Sequence, residues 1–313
     1  MVYSAAGNQI YAWRRGCELK HIYKGHESQV KLLLPFGPHL ISIDANSQLK
    51  VFDIKSEKSI LHLEFDPKSF NISAICHPIT YKDKILLGST QGILQLWNLK
   101  SAKRIYQFRG WESSVTCLVP CPTVLDAVAI GLKSGEIVVH NLKFDETFVK
   151  FKQDWGPVTS LAFRSDRNDL LISGSSSVPD DQDNFSGSGH IAIWNLNEKK
   201  LSAQMRDAHL SDVAGMACFP GEPILVTSSP DNTIKQWIFD MPDGGGRLLK
   251  LREGHAEPPT KIRFYGSLGN NILSASEDSS LRSFSTGMII FIKSILSNQI
   301  AGFLTSNVHF EFQ

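Results

Sequence analysis

A six-residue pattern recurs along the chain: apolar, variable, apolar, aromatic, polar, apolar. It reads LKVFDI at 49–54, LQLWNL at 94–99, IVVHNL at 137–142, IAIWNL at 191–196, IKQWIF at 234–239 and LRSFST at 281–286, with a fainter copy, QIYAWR, at 9–14. The aromatic or imidazole position falls at 52, 97, 140, 194, 237 and 284, so successive spacings are 45, 43, 54, 43 and 47 residues. Within each copy the apolar positions alternate, the period of a half-buried strand. Helical spacing of i, i+3, i+4, i+7 persists in none of them.

A strand signal returning about every 43 residues fits the four-stranded blade of a β-propeller. The expected fold is all-β, with about six to seven blades over residues 1–286 and a divergent tail over 287–313. The first blade begins part-way: VYSAA and IYAWR read as its second and third strands, which leaves one strand to be found. VHFEF at 308–312 alternates as a strand would, so it is a candidate to close the ring; it could equally be foreign to the fold. Residues 288–304 are apolar but carry Lys293, Asn298 and Gln299, a poor pattern for a membrane span. The 54-residue interval holds SSSVPDDQDNFSGSG at 175–189, whose Ser, Asp and Gly content predicts an exposed loop.

Two further markers accompany the aromatic. Gly25-His26, Ala208-His209 and Gly254-His255 stand about 27 to 30 residues before it, with Gly110-Trp111 and Trp155-Gly156 in the same place in degenerate form. Asn46, Asp231 and Asp278 stand six residues before it, where a tight turn is expected, because Asn and Asp side chains bond the nearby backbone.

Composition narrows the function. The 313 residues are 42% hydrophobic and 20% charged, unlike a disordered chain. The formal charge is +1, so bulk electrostatics would not drive nucleic-acid binding. Cys17, Cys76, Cys117, Cys121 and Cys218 are odd in number and lack the CxxC spacing of a zinc or redox site, so they read as reduced, mostly buried apolar residues of a cytosolic or nuclear protein. No phosphate loop, GxGxxG, GxSxG or HExxH is present, and DxDN at 181–184 fails as a calcium loop because Phe185 occupies a ligand position. No cofactor or metal is expected. Basic residues gather locally: Arg14, Arg15, Lys20 and Lys24, then Arg247, Lys250, Arg252, Lys261 and Arg263. Their ordinary reading is a solvated face; their sharper one is contact with RNA phosphate or an acidic partner.

Together the aromatic, the Gly-His and the turn acid resemble the WD-repeat family over residues 1–286. The resemblance implies a buried hydrogen-bonded chain within a blade. Here its members would be His209, Thr227, Asp231 and Trp237, with a second set of His255, Ser274 and Asp278 in which Phe284 cannot donate the last bond. Such a Ser–His–Asp grouping is then structural and not catalytic. KILLGSTQGILQLWNLKS at 84–101, the run from Val128 to Arg164, IFDMPDGGGRLLKLREGHAEPPTKIRFYG at 238–266 and ILSASEDSSLRSFST at 272–286 resemble WD-repeat subunits of the small-subunit processome more closely than the generic repeat. That implies a non-enzymatic nucleolar scaffold for pre-rRNA processing and small ribosomal subunit biogenesis. Its partners would be other processome proteins and, directly or indirectly, pre-rRNA or small nucleolar RNA, with no membrane and no small-molecule substrate. Interface anchors would be exposed aromatics and cations: Trp111, Trp155, Arg247, Lys250, Arg252, Lys261 and Arg263. The alternative is another adaptor, a ubiquitin-ligase substrate receptor or a histone-tail reader; WNLK, HNLK and WNLN lack the Arg that ligase receptors of this fold often carry.

Overall fold

The computed structural model describes residues 1–14, 18–176, 188–265, 269 and 271–286, and the backbone of 309–312. These form a seven-bladed β-propeller of antiparallel sheets. In chain order, blade 2 is Val30–Phe36, His39–Asp44, Gln48–Asp53 and Ser59–Glu64; blade 3 is Ile72–Cys76, Lys84–Ser89, Leu94–Asn98 and Lys103–Gln107; blade 4 is Val115–Pro120, Ala127–Leu132, Glu136–Asn141 and Glu146–Lys152. Blade 5 is Val158–Phe163, Leu170–Ser175, Gly189–Asn195 and Lys200–His209; blade 6 is Gly215–Cys218, Ile224–Ser228, Ile234–Ile238 and Arg247–Arg252. Blade 7 has three described strands, Pro259–Tyr265, Asn271–Ser276 and Leu281–Ser285.

Blade 1 holds Val2–Ala6, Gln9–Arg14 and Glu18–Tyr23, and gains its remaining strand from His309–Phe312. That strand runs antiparallel to the first, with Val2 opposite Phe312 and Ala5 opposite His309. It lies inside the segment expected to be a divergent tail, and it contacts the first strands of blades 2 and 7. His309–Phe312 of blade 1 and the first strands of blades 2 to 7 touch one another all the way round, so they line the axis and the opposite edge of each sheet forms the rim.

The core is divided among the blade interfaces. Each buried apolar cluster straddles two successive blades: Tyr3, Ile10 and Tyr23 of blade 1 pack on Val30 and Leu40 of blade 2, and Leu273 and Leu281 of blade 7 on Val2 of blade 1. Second strands are therefore covered on both faces. Ala127–Leu132 and Leu170–Ser175 are buried at every position, which is why their sequences run apolar or small without alternation. The strand pairing slips at the repeat aromatic in all six four-stranded blades, between Ala12 and Trp13, Val51 and Phe52, Leu96 and Trp97, Val139 and His140, Ile193 and Trp194, and Gln236 and Trp237. A bulge at that point increases the local twist of the rim strand.

Residues 177–187 of the expected loop, with the DxDN segment and Phe185, and residues 288–304 lie outside the described residues. Among the described residues no helix is long and apolar enough to cross a membrane.

Candidate functional site

Among the described residues, the three histidines of the Gly-His and Ala-His markers each sit in a complete imidazole–hydroxyl–carboxylate set. At blade 6, His209 at the end of the blade 5 rim strand has its Nδ1 3.0 Å from Asp231 Oδ2 and its Nε2 2.7 Å from Thr227 Oγ1. Trp237 Nε1 donates to the same hydroxyl at 2.9 Å. A neutral imidazole protonated at Nδ1 satisfies every member: it donates to the carboxylate, the threonine hydroxyl donates to Nε2, and the indole donates to the hydroxyl oxygen. Thr233 Oγ1 and the Leu210 amide add donors to Asp231 at 2.6 and 3.0 Å. In blade 7, His255 sits 3.1 Å from Asp278 and 2.6 Å from Ser274, with Phe284 edge-on at 6.3 Å in place of an indole donor.

The third set lies in blade 2: His26 Nδ1 is 3.1 Å from Asp44 Oδ2 and Nε2 is 2.7 Å from Ser42 Oγ. Here the acid is Asp44, not Asn46. Ser42 is opposite Lys50, as Thr227 is opposite Lys235, so Asn46 does occupy the place of Asp231. An aspartate two residues earlier takes over the imidazole and receives the Asn46 and Gln48 amides at 3.0 and 2.9 Å.

Burial lowers the His26 and His209 imidazoles below their ordinary value, against the opposing pull of their carboxylates. Burial alone would raise the Asp231 and Asp278 carboxyls. Hydrogen bonds from His209 and Thr233, and from His255 and Ser280, outweigh it and hold both well below the usual carboxylate range. These groups resemble an acyl-transfer triad in composition only. His209 and Thr227 are both 0% exposed, so no substrate can reach the hydroxyl. The arrangement can fix a blade and cannot meet a ligand. Burial also pushes the Cys117 and Cys218 thiols up to about 11 and about 12, which keeps them protonated. Among the described residues no cluster of His, Cys, Asp and Glu could hold a metal ion.

The expected interaction residues do not form one surface. Arg247, Lys250 and Arg252 belong to the rim strand of blade 6, whereas Lys261 and Arg263 belong to the axial strand of blade 7. The chain crosses the disc from rim to axis between them, so closeness in sequence becomes separation in space. Arg252 is only 6% exposed and donates to Gln236 Oε1 and the Ser285 carbonyl, both at 3.0 Å. It fastens blade 6 to blade 7 and is not a solvent-facing contact. Lys250 Nζ donates to the Thr286 carbonyl at 2.8 Å, and Arg263 to the Met216 carbonyl at 3.3 Å. Arg247 is exposed but clamped by the Asp240 carboxylate, with its Nη2 at 2.7 Å.

Trp155 packs nearly parallel to Trp194, centroids 6.5 Å apart, and joins the core between blades 4 and 5. Trp111 sets its ring edge-on to His140 at 5.3 Å and is half-buried against the core between blades 3 and 4. It also lines a surface cavity of about 720 Å³ together with Arg109, Glu112 and Lys152.

Comparison with known proteins agrees with this architecture. Solved structures with the same fold include "Structure of U3-55K" (TM-score 0.73, 16% identity, covering 88% of this chain and 84% of that one) and a chain of "Crystal Structure of Mitotic Checkpoint Complex" (TM-score 0.75, 15% identity, 93% and 84%). In sequence the chain is 49% identical to human WD repeat-containing protein 36 over 94% of its length, and 37% identical to the Schizosaccharomyces pombe U3 small nucleolar RNA-associated protein 21 homolog over 90%. It spans 32% and 30% of those two relatives, about a third of each. Residues 1–240 match the family model described as WDR36/Utp21 first beta-propeller, and the chain belongs to that family.

Proposed function

We propose that this chain serves as a scaffold segment of the small-subunit processome, a nucleolar particle that processes pre-rRNA for the small ribosomal subunit. The observation that carries the reading is the match of residues 1–240 to the first propeller of the WDR36/Utp21 family. The fission-yeast relative's name ties that protein to U3 small nucleolar RNA, and the proposal extends the association to this chain. In this reading the chain works by holding neighbouring proteins on a rigid disc and performs no chemistry. The histidine networks support a mechanical role, since they commit His26, His209 and His255 and their acids to internal geometry. The near-neutral charge favours docking through proteins over a broad RNA track.

Gradient sedimentation of nuclear extract containing the tagged chain tests the assignment. Co-migration with particles containing U3 small nucleolar RNA is expected. A chain that stays folded and sediments only as the free protein would contradict it.

A further inference from the structure

Blade 4 departs from the repeat at every position of the histidine network. Trp111 replaces the imidazole, His140 replaces the indole, and the site two residues beyond the partner of His140 is Ile130. His140 turns instead to Asp145 at 3.1 Å. The Trp111 ring, with no polar chain to enter, lies on the core and faces the cavity described above.

The cavity has a rigid frame. Its first wall is the turn from blade 3 into blade 4, and its second is the turn joining the middle strands of blade 4. The Ser134 amide donates to Ser113 Oγ at 2.9 Å and ties the two walls together. The Trp111 amide donates to the Gly92 carbonyl at 2.9 Å. Gly92 (φ +80°) and Gly110 (φ +78°) press against each other so closely that a Cβ on Gly92 would lie 1.9 Å from the Trp111 carbonyl oxygen. A frame this crowded holds its shape before any ligand arrives, which lowers the cost of binding.

The charges within it are unevenly spent. Lys150 is paired with Glu136 at 2.8 Å. Arg109 and Lys152 are exposed and have no ion pair among the described residues. Two open cations therefore stand beside a half-buried indole, with Glu112 as the open carboxylate. We propose that this pocket docks an acidic side chain carried on an extended segment of a partner protein. Arg109 and Lys152 would meet the carboxylate, and Trp111 would pack against the aliphatic stem and adjoining backbone. Single-stranded RNA fits less well. The cavity's aromatic platform is one ring and not the row on which successive bases would stack.

This deepens the scaffold reading, yet its test needs only the purified full chain, so the two can fail separately. Fluorescence anisotropy would follow a labelled short Glu- and Asp-rich peptide, its Gln and Asn counterpart, and a labelled oligouridine. The acidic peptide should bind, weaken as salt rises, and lose about tenfold or more in affinity in the Arg109→Ala/Lys152→Ala variant. That variant should keep the parent melting temperature, and a control Lys55→Ala/Arg206→Ala variant should bind as the parent does. Equal binding of the neutral peptide, unchanged affinity in the double variant, or no binding of the acidic peptide would each overturn the proposal. Preferential binding of oligouridine, lost in the double variant, would overturn it in favour of RNA.

Discussion

Trp237 Nε1 reaches Thr227 Oγ1 at 2.9 Å because the two residues sit on a cross-strand diagonal: Trp237 is opposite Leu225, and Thr227 is two residues further along the same face. The same diagonal recurs where sequence spacing hides it. Trp13 is opposite Val2 and donates to Ser4 Oγ at 2.8 Å; Trp194 is opposite Leu171 and donates to Ser173 Oγ at 2.9 Å. Blades 1, 5 and 6 thus share one indole–hydroxyl bond, set by register and not by the length of the connecting turn.

Because the Thr227 hydroxyl serves both His209 and Trp237, its loss should orphan two buried groups. Thr227→Val should cost about 2–4 kcal/mol. Ser274→Ala in blade 7, where Phe284 needs no acceptor, should cost about 1–2 kcal/mol. Urea unfolding would measure both, and Thr227→Ser should restore most of the loss. Equal costs for the blade 6 and blade 7 variants would show that the indole bond adds nothing.

Acid should weaken the fold in two stages. The folded His26 and His209 values lie below 6.5, so unfolding takes up protons there. Their contribution is complete above pH 6.5 and is lost as pH falls through the folded values. Asp231 and Asp278 lie below 3.8 when folded, so their contribution is complete above 3.8 and is lost on further acidification. Urea midpoints across pH should be flat near pH 8, decline below 6.5 and fall again below 3.8. Stability that rises from pH 7 to pH 5 would contradict a neutral, buried imidazole.

Two glycines with similar backbone angles should respond differently to alanine. Gly92 (φ +80°) has no room for a Cβ, whereas Gly221 (φ +76°) has nothing within 4 Å. Gly221→Ala should cost about 1 kcal/mol from backbone strain alone. Gly92→Ala should cost about 3 kcal/mol or more and shift the environment of Trp111. Thermal unfolding followed by tryptophan fluorescence would read both effects, and similar costs would refute the crowding at residues 92 and 110–111.

Arg252→Glu should act on the fold. It places a carboxylate beside the Ser285 carbonyl at a site 6% exposed, with an expected loss of about 3–5 kcal/mol. Arg247→Glu, on the exposed rim, should leave the melting temperature within a few degrees of the parent. A stable Arg252→Glu protein would mean that the contact between blades 6 and 7 is not what holds this guanidinium.

The blade count and the His209 and His255 sets were legible because the third strand repeats its aromatic at a steady period and the turn acid keeps its place. The blade 2 set was hidden by a two-residue move of the acid, from Asn46 to Asp44. The Trp194–Ser173 bond was hidden by the long connection between its strands. The basic run from Arg247 to Arg263 misled for a topological reason: a propeller chain leaves each blade at the rim and enters the next at the axis. Trp111 stood out in the sequence as a departure from Gly-His, but its cavity depends on Arg109 and Lys152 converging from two different strand ends, which no linear spacing displays.

Affinity purification of the tagged chain from nuclear extract, with and without RNase, tests the scaffold assignment most directly. Processome proteins should be recovered together with U3 small nucleolar RNA and pre-rRNA, and the proteins should be retained after RNase treatment. A folded chain that recovers none of these components would contradict it.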